Sequence, residues 1–188
     1  MSMQPSSEQT QYLLNQIELS NAMRRLWSDS IQWTRSLIYS ILFDLGDVEP
    51  ITQRLVKNAE DFSDVFTQIY GQQAGARVRE LLFNRYRMTR LMIDAYKTGD
   101  TRSIEGLRSN LLRNAEDLAR LFSSLNRFWD RVALEVTLHS ITTMTENEIV
   151  QIMTGHYADS VTEYEEIQRQ TMHLADDLIY GIIRQFQT

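Results

Sequence analysis

Leu55-Val56-Lys57-Asn58-Ala59-Glu60-Asp61-Phe62 returns as Leu111-Leu112-Arg113-Asn114-Ala115-Glu116-Asp117-Leu118, 56 residues later. In both copies the apolar positions are three and four apart, the spacing that puts side chains on one face of a helix. Upstream, Thr34-Arg35-Ser36-Leu37-Ile38 returns as Thr89-Arg90-Leu91-Met92-Ile93, 55 residues later. Two segments moving together at nearly one offset predict a duplicated unit, a long helix followed by a shorter one. The units are expected at 11–70 and 73–126, with a polar tail at 1–10 and a closing helical hairpin at 127–187.

Helix breakers set the boundaries. The chain has two prolines, Pro5 and Pro50, and seven glycines, of which Gly46, Gly71, Gly99 and Gly155 separate long stretches of helical period. The predicted helices are 8–45, 48–70, 73–98, 103–125, 127–154 and 159–186. The first carries a seam of Leu13, Ile17, Trp27, Ile31, Ile38, Ile41 and Leu45, widened by Leu26, Trp33 and Leu37. Gly46 suits a left-handed helix end, and Asp47 a cap for the helix that follows. Gly99-Asp100-Thr101 reads as a stop and a new cap, and Asn126 as a break. Met88, Met92, Met144 and Met153 read as core fillers. Sustained apolar–polar alternation is missing. The expected fold is therefore all-α, one domain of 188 residues. Four long helices (the first, third, fifth and sixth) would form the bundle, with the second and fourth alongside.

Composition narrows the functions. Nineteen basic and 25 acidic side chains give a net charge of −6, which disfavours nucleic acid, whose binding rests on phosphate neutralisation. Cysteine is absent, which excludes disulfides, thiolate metal sites and cysteine nucleophiles. The start of the chain has neither a basic region nor an apolar core of signal-peptide type, and its most apolar run, 37–43, falls far short of the roughly 20 residues of a membrane span. The expected setting is the cytoplasm, away from membranes.

Chemistry is sparse. Neither a Gly-x-Gly fingerprint, a Gly-Lys-Ser/Thr loop nor a Gly-x-Ser-x-Gly elbow occurs. The Glu-x-x-His pair of di-metal bundles fails at His139, His156 and His173. One constellation survives: Glu135 with His139 and His173 with Asp177 are i, i+4 pairs that share one level in an antiparallel hairpin turning at 156, a ligand set suited to zinc or iron. At about 100° per residue, however, His173 and Asp177 fall outside the apolar arc centred on Leu178, so the bland reading is a solvated His-Asp pair. Asn-Ala-Glu-Asp reads as local satisfaction of backbone groups rather than a ligand site. Trp27, Trp33 and Trp129 read as core aromatics rather than a cofactor pocket. Arg77, Arg79, Arg85, Arg87 and Arg90 form the densest basic stretch. Arg77, Arg85 and Arg87 are its candidate contacts to an acidic partner, set against the plainer reading of a solvated face.

The motif Leu26-Trp27-x-x-x-Ile31-x-Trp33-Thr34-Arg35, then Arg54-Leu55-x-x-Asn58 and Tyr70-Gly71, resembles a family of small all-helical bacterial proteins. So does the ending Ala175-Asp176-x-Leu178-x-x-Gly181-Ile182-Ile183-Arg184-Gln185-Phe186. The likeness spans about 19–186. Some members carry the label acetylglutamate kinase, which this chain, lacking glycine-rich nucleotide loops, does not support. The resemblance implies inward histidines at three points. Here Ser30 and Arg85 stand at the first two and His139 at the third, so a metal held by all three would be lost.

The leading expectation is a non-enzymatic bundle acting through protein–protein contact, self-assembling as a homo-oligomer. The alternatives are a bundle binding a metal or small ligand through Glu135, His139, His173 and Asp177, and a regulatory module for an acidic partner. Outside the metal alternative, no cofactor is expected.

Overall fold

The computed structural model describes residues 7–186, with the side chains of 7–10, 12 and 13 left aside. Six helices run in order: α1 (Ser7–Leu42), α2 (Val48–Tyr70), α3 (Gln72–Thr98), α4 (Thr101–Leu125), α5 (Arg131–Met153) and α6 (Tyr157–Phe186). Strands are absent among the described residues. The described part of the expected tail, 7–10, belongs to α1, and Leu13 of the expected seam lies outside the described side chains. Lengths grade from 36 residues in α1 to 23 in both α2 and α5, so they do not fall into four long and two short helices.

Each helix packs on the next, and α1 also packs on α6 and α3. The chain thereby closes on itself. α2 lies against α1 and α3, and α4 against α3 and α5. The core runs from Met23, Leu26 and Leu37 of α1 through Phe62, Phe66, Leu82 and Phe122 to Leu174 and Leu178 of α6, each 2% exposed or less. At one end Phe66, Tyr70, Phe122 and Trp129 stack ring against ring, with centroids 5.4 to 6.3 Å apart. Trp129 reaches this cluster by lying against Gly181, where a Cβ would stand 2.1 Å from the indole nitrogen, and it donates to the Leu178 carbonyl at 3.1 Å.

The turns follow the punctuation with three corrections. Gly99 is left-handed (φ 72°) and Asp100 caps α4 by accepting from the Ser103 amide. Asn126 ends α4, as expected. The left-handed residue after α1, however, is Asp44 (φ 57°), not Gly46; α1 stops at Leu42 and leaves Leu45 exposed. Asp47 stands at the N-cap of α2, but its side chain makes no capping bond. α5 begins at Arg131 rather than 127, because Asp130 accepts from the Ala133 amide and fixes the start there. Ile17 of the expected seam is 55% exposed, and Met153 is exposed rather than core.

The repeated asparagines share one bond. Asn58 donates to the Leu26 carbonyl and Asn114 to the Leu81 carbonyl, each at 3.0 Å. Each side chain reaches from the later helix of its pair into the preceding one.

Candidate functional site

Residues of four helices line a cavity of about 40 Å³. α1 contributes Trp27, Ser30, Ile31 and Thr34; α3 contributes Arg85, Tyr86 and Thr89; α5 contributes Leu138, Ile141, Thr145 and Glu148; α6 contributes Ile167 and Thr171. Each helix presents one face to it, which explains the threonines and serine at positions that otherwise continue the apolar seams.

Arg85 is the outlying residue. It lies seven residues after Val78 and seven before Met92, both buried, so the helical period carries it to the inner face. Its Nη2 donates to Thr142 Oγ1 at 2.7 Å. Its Nη1 is closed off from solvent and has no hydrogen-bond partner, although the residue as a whole is half-buried. No carboxylate stands within ion-pair distance of it among the described residues. Burial pushes the guanidinium down to about 10, which still leaves it charged at neutral pH. Two further lining groups, Trp27 Nε1 and Thr171 Oγ1, are likewise enclosed and without a partner, in residues 5% and 1% exposed.

The acid on the cavity wall is already committed. Glu148 pairs with Arg35, whose Nη1 also donates to the Ser160 carbonyl at 3.1 Å. The Arg35 guanidinium lies over the rings of Tyr39 and Tyr164, 5.4 and 4.8 Å from their centroids. Arg35 thus ties α1 to α5 and α6. Tyr86 joins the cavity to α2: its hydroxyl donates to Asn58 Oδ1 at 2.6 Å and, its proton spent, accepts from Ser30 Oγ at 2.9 Å. The Asn58 side chain is therefore satisfied at both ends, inside the core. Burial pushes the Tyr86 phenol up to about 12.

The expected metal set is not assembled. Glu135 and His139 turn toward α4, where Glu116 joins them, with candidate ligand atoms all within 4.8 Å. His139 Nε2 lies 3.2 Å from the Leu112 carbonyl and 3.6 Å from Glu116. A carbonyl only accepts, so the ring serves as a donor there without needing an ion. His173 and Asp177 are exposed on α6, as the helical wheel indicates, because the inner face of α6 belongs to Thr171, Leu174 and Leu178. The basic stretch of α3 is not one face either. Arg77 pairs with Glu80 at 2.5 Å, Arg79 with Glu60 at 3.5 Å and Arg90 with Glu49 at 3.4 Å, while Arg87 is exposed and Arg85 faces the core. Trp27 is core but borders the cavity, Trp33 is half-buried beneath Arg54, and Trp129 sits in the aromatic cluster.

Nothing matches. Comparison with protein families, curated proteins and solved structures yields no counterpart for this chain. Of the three points where the resemblance implies histidines, Ser30 and Arg85 line the cavity, whereas His139 faces α4 outside it.

Sequence reasoning missed the cavity, although its signal was present. Arg85 and Glu148 are charges at seam positions: Glu148 is seven residues after Ile141 and four before Ile152, both buried. A charge inside a helical apolar period marks a buried polar group that needs a partner.

Proposed function

We propose that this chain is a non-enzymatic binding protein whose bundle core takes a small ligand in the cavity between α1, α3, α5 and α6. One observation carries the reading: three residues that line a single cavity, Trp27, Arg85 and Thr171, each carry an enclosed polar atom without a protein partner. Buried donors are normally paired, and leaving one unpaired costs about 1–3 kcal/mol. A ligand that accepts from these groups recovers that energy.

The test is native mass spectrometry of the untagged full chain, purified without chelator and after mild exchange, followed by thermal melts against a panel of small molecules. A bound mass, or a saturable rise in Tm that is lost when Thr171 is replaced by Val, supports the reading. A ligand-free chain that no small molecule stabilises overturns it. A stoichiometric metal mass lost in His139→Ala would instead move the function to Glu116, Glu135 and His139.

A second reading, self-association, is favoured by one surface. Leu14, Ile17 and Phe186 are 47%, 55% and 60% exposed. A groove of about 340 Å³ runs between Leu19, Ile69, Ile182, Ile183 and Phe186 at that end of the bundle. Apolar groups gathered this way suit a contact between copies of the chain. Light scattering reads it directly: an oligomer that becomes a monomer in Ile17→Glu with Phe186→Glu supports it, and a monodisperse monomer at high concentration ends it.

We also read α1–α2 and α3–α4 as copies of one unit. The matched bonds of Asn58 and Asn114 support this, because they follow the offsets of the repeated segments, 56 between the asparagines and 55 between Leu26 and Leu81.

A further inference from the structure

Resting on the reading that the cavity takes a ligand, we infer that the ligand is a small monovalent carboxylate, no larger than about acetate, held by Arg85 with Trp27 and Thr171. Three features of the site lead there. The first is charge. Glu148, the acidic residue on the lining, is neutralised by Arg35, so the Arg85 guanidinium remains as the uncompensated charge. A cation or metal ion entering beside it would be repelled; an anion would complete the pair that the fold leaves unmade.

The second is donor chemistry. Guanidinium and indole nitrogens donate and never accept, and a threonine hydroxyl does either. The unpartnered groups on Arg85, Trp27 and Thr171 therefore call for a ligand that accepts several hydrogen bonds and need donate none. A carboxylate offers two oxygens and about four acceptor positions, and its bonds from a charged donor are the strong kind.

The third is size and wall. A single water requires about 10–15 Å³ of cavity on this measure, so about 40 Å³ holds roughly three waters, or an anion of about four heavy atoms. The remaining wall includes Ile31, Leu138 and Ile167. An apolar wall opposite the donors suits a methyl group and disfavours a fully hydrated ion.

The test uses the full chain at fixed ionic strength, with sodium gluconate as the bulky counter-anion. Thermal melts and calorimetric titrations compare formate, acetate, chloride and, as an uncharged isostere, acetamide. The expected result is saturable stabilisation by formate and acetate, a weaker response to chloride and none to acetamide or gluconate. Arg85→Met should weaken acetate binding by about tenfold or more, about 1.4 kcal/mol or more, and Arg85→Lys should recover part of it. If Arg85→Met does not fold, Thr171→Val decides, since it removes one donor and should weaken acetate several-fold.

Acetamide binding as well as acetate overturns the carboxylate assignment and leaves the ligand-binding reading standing. Chloride matching acetate overturns it too, in favour of a spherical halide site. Stabilisation by acetate that neither Arg85→Met nor Thr171→Val changes places the anion elsewhere and overturns the assignment. No response to any small molecule removes both readings together.

Discussion

Asn58 and Asn114 make the same bond, a 3.0 Å donation from the side-chain amide into a main-chain carbonyl of the preceding helix, yet only Asn58 is satisfied at its other end. Its Oδ1 accepts from Tyr86, whereas Asn114 Oδ1 is enclosed without a partner. The two positions are alike in placement and unlike in what depends on them.

Their replacement should therefore differ. Asn58→Ala removes a buried bond to the Leu26 carbonyl and takes the acceptor from the Tyr86 hydroxyl, and is expected to cost about 2–3 kcal/mol, whereas Asn114→Ala removes one bond to a carbonyl that keeps its own helical partner and should cost about 1 kcal/mol. Urea unfolding of the two variants measures this, and equal losses would contradict the Tyr86 connection.

Arg85→Met should leave the ligand-free chain as stable as the parent or more so. Burial holds the guanidinium down at about 10, well below its ordinary value, a penalty of roughly 3 kcal/mol at neutral pH. Methionine fills similar space without that penalty, and Thr142 keeps its bond to the Leu138 carbonyl at 2.7 Å. Melts in gluconate buffer check this. A large fall in Tm would show that the charge is compensated in some other way.

Alkali should destabilise the fold in a defined window. Burial raises Tyr70 and Tyr86 from 10.0 to about 12, so both keep their protons in the folded chain and lose them more readily in the unfolded one. That stability is whole below pH 10.0 and is lost as pH climbs toward 12. Ultraviolet titration should show four tyrosines ionising late, Tyr70 and Tyr86 together with Tyr96 and Tyr164, whose phenols burial also pushes up, and Tyr86→Phe should flatten the loss.

Acid should act through Glu146. Burial works against its charge, but bonds from Arg108 and Tyr96 outweigh it and hold the carboxyl below 4.5. The stability it lends is present above 4.5 and lost as pH falls below. Glu146→Gln is expected to cost about 2 kcal/mol at neutral pH and to remove part of the acid sensitivity in denaturant melts at stepped pH.

Gly181→Ala should disrupt the packing of α6 on Trp129. The added methyl would fall 2.1 Å from the indole nitrogen, and the rigid ring can yield only by leaving the Leu178 carbonyl. A cost of about 1–3 kcal/mol and a red shift of tryptophan emission are expected.

The helices were legible because Gly71, Gly99, Asn126 and Gly155 interrupt an otherwise continuous 3.6-residue period. Their ends were less so. Asp44 took the left-handed position that Gly46 could have held, a choice bound up with the Lys97 bonds to Asp44 and to the Ile41 carbonyl, each at 2.5 Å, from another helix. The site was hidden for a similar reason. Reading Arg85 with Arg77 and Arg87 as one basic stretch grouped it by sequence proximity, whereas its azimuth groups it with Val78, Tyr86, Thr89 and Met92. His139 failed the other way: hairpin spacing pairs it with His173, but its side chain turns toward α4.

The contact of α1 with α6 has a consequence for how the chain is made. The cavity takes Trp27 from α1 and Thr171 from α6, so a nascent chain that has not yet reached α6 does not possess it. A growing chain must hold the charged tip of Arg85 in an unfinished interior until α6 arrives. A ligand seated beside that arginine would bind only chains in which α6 has docked, and by mass action it would hold α6 against α1.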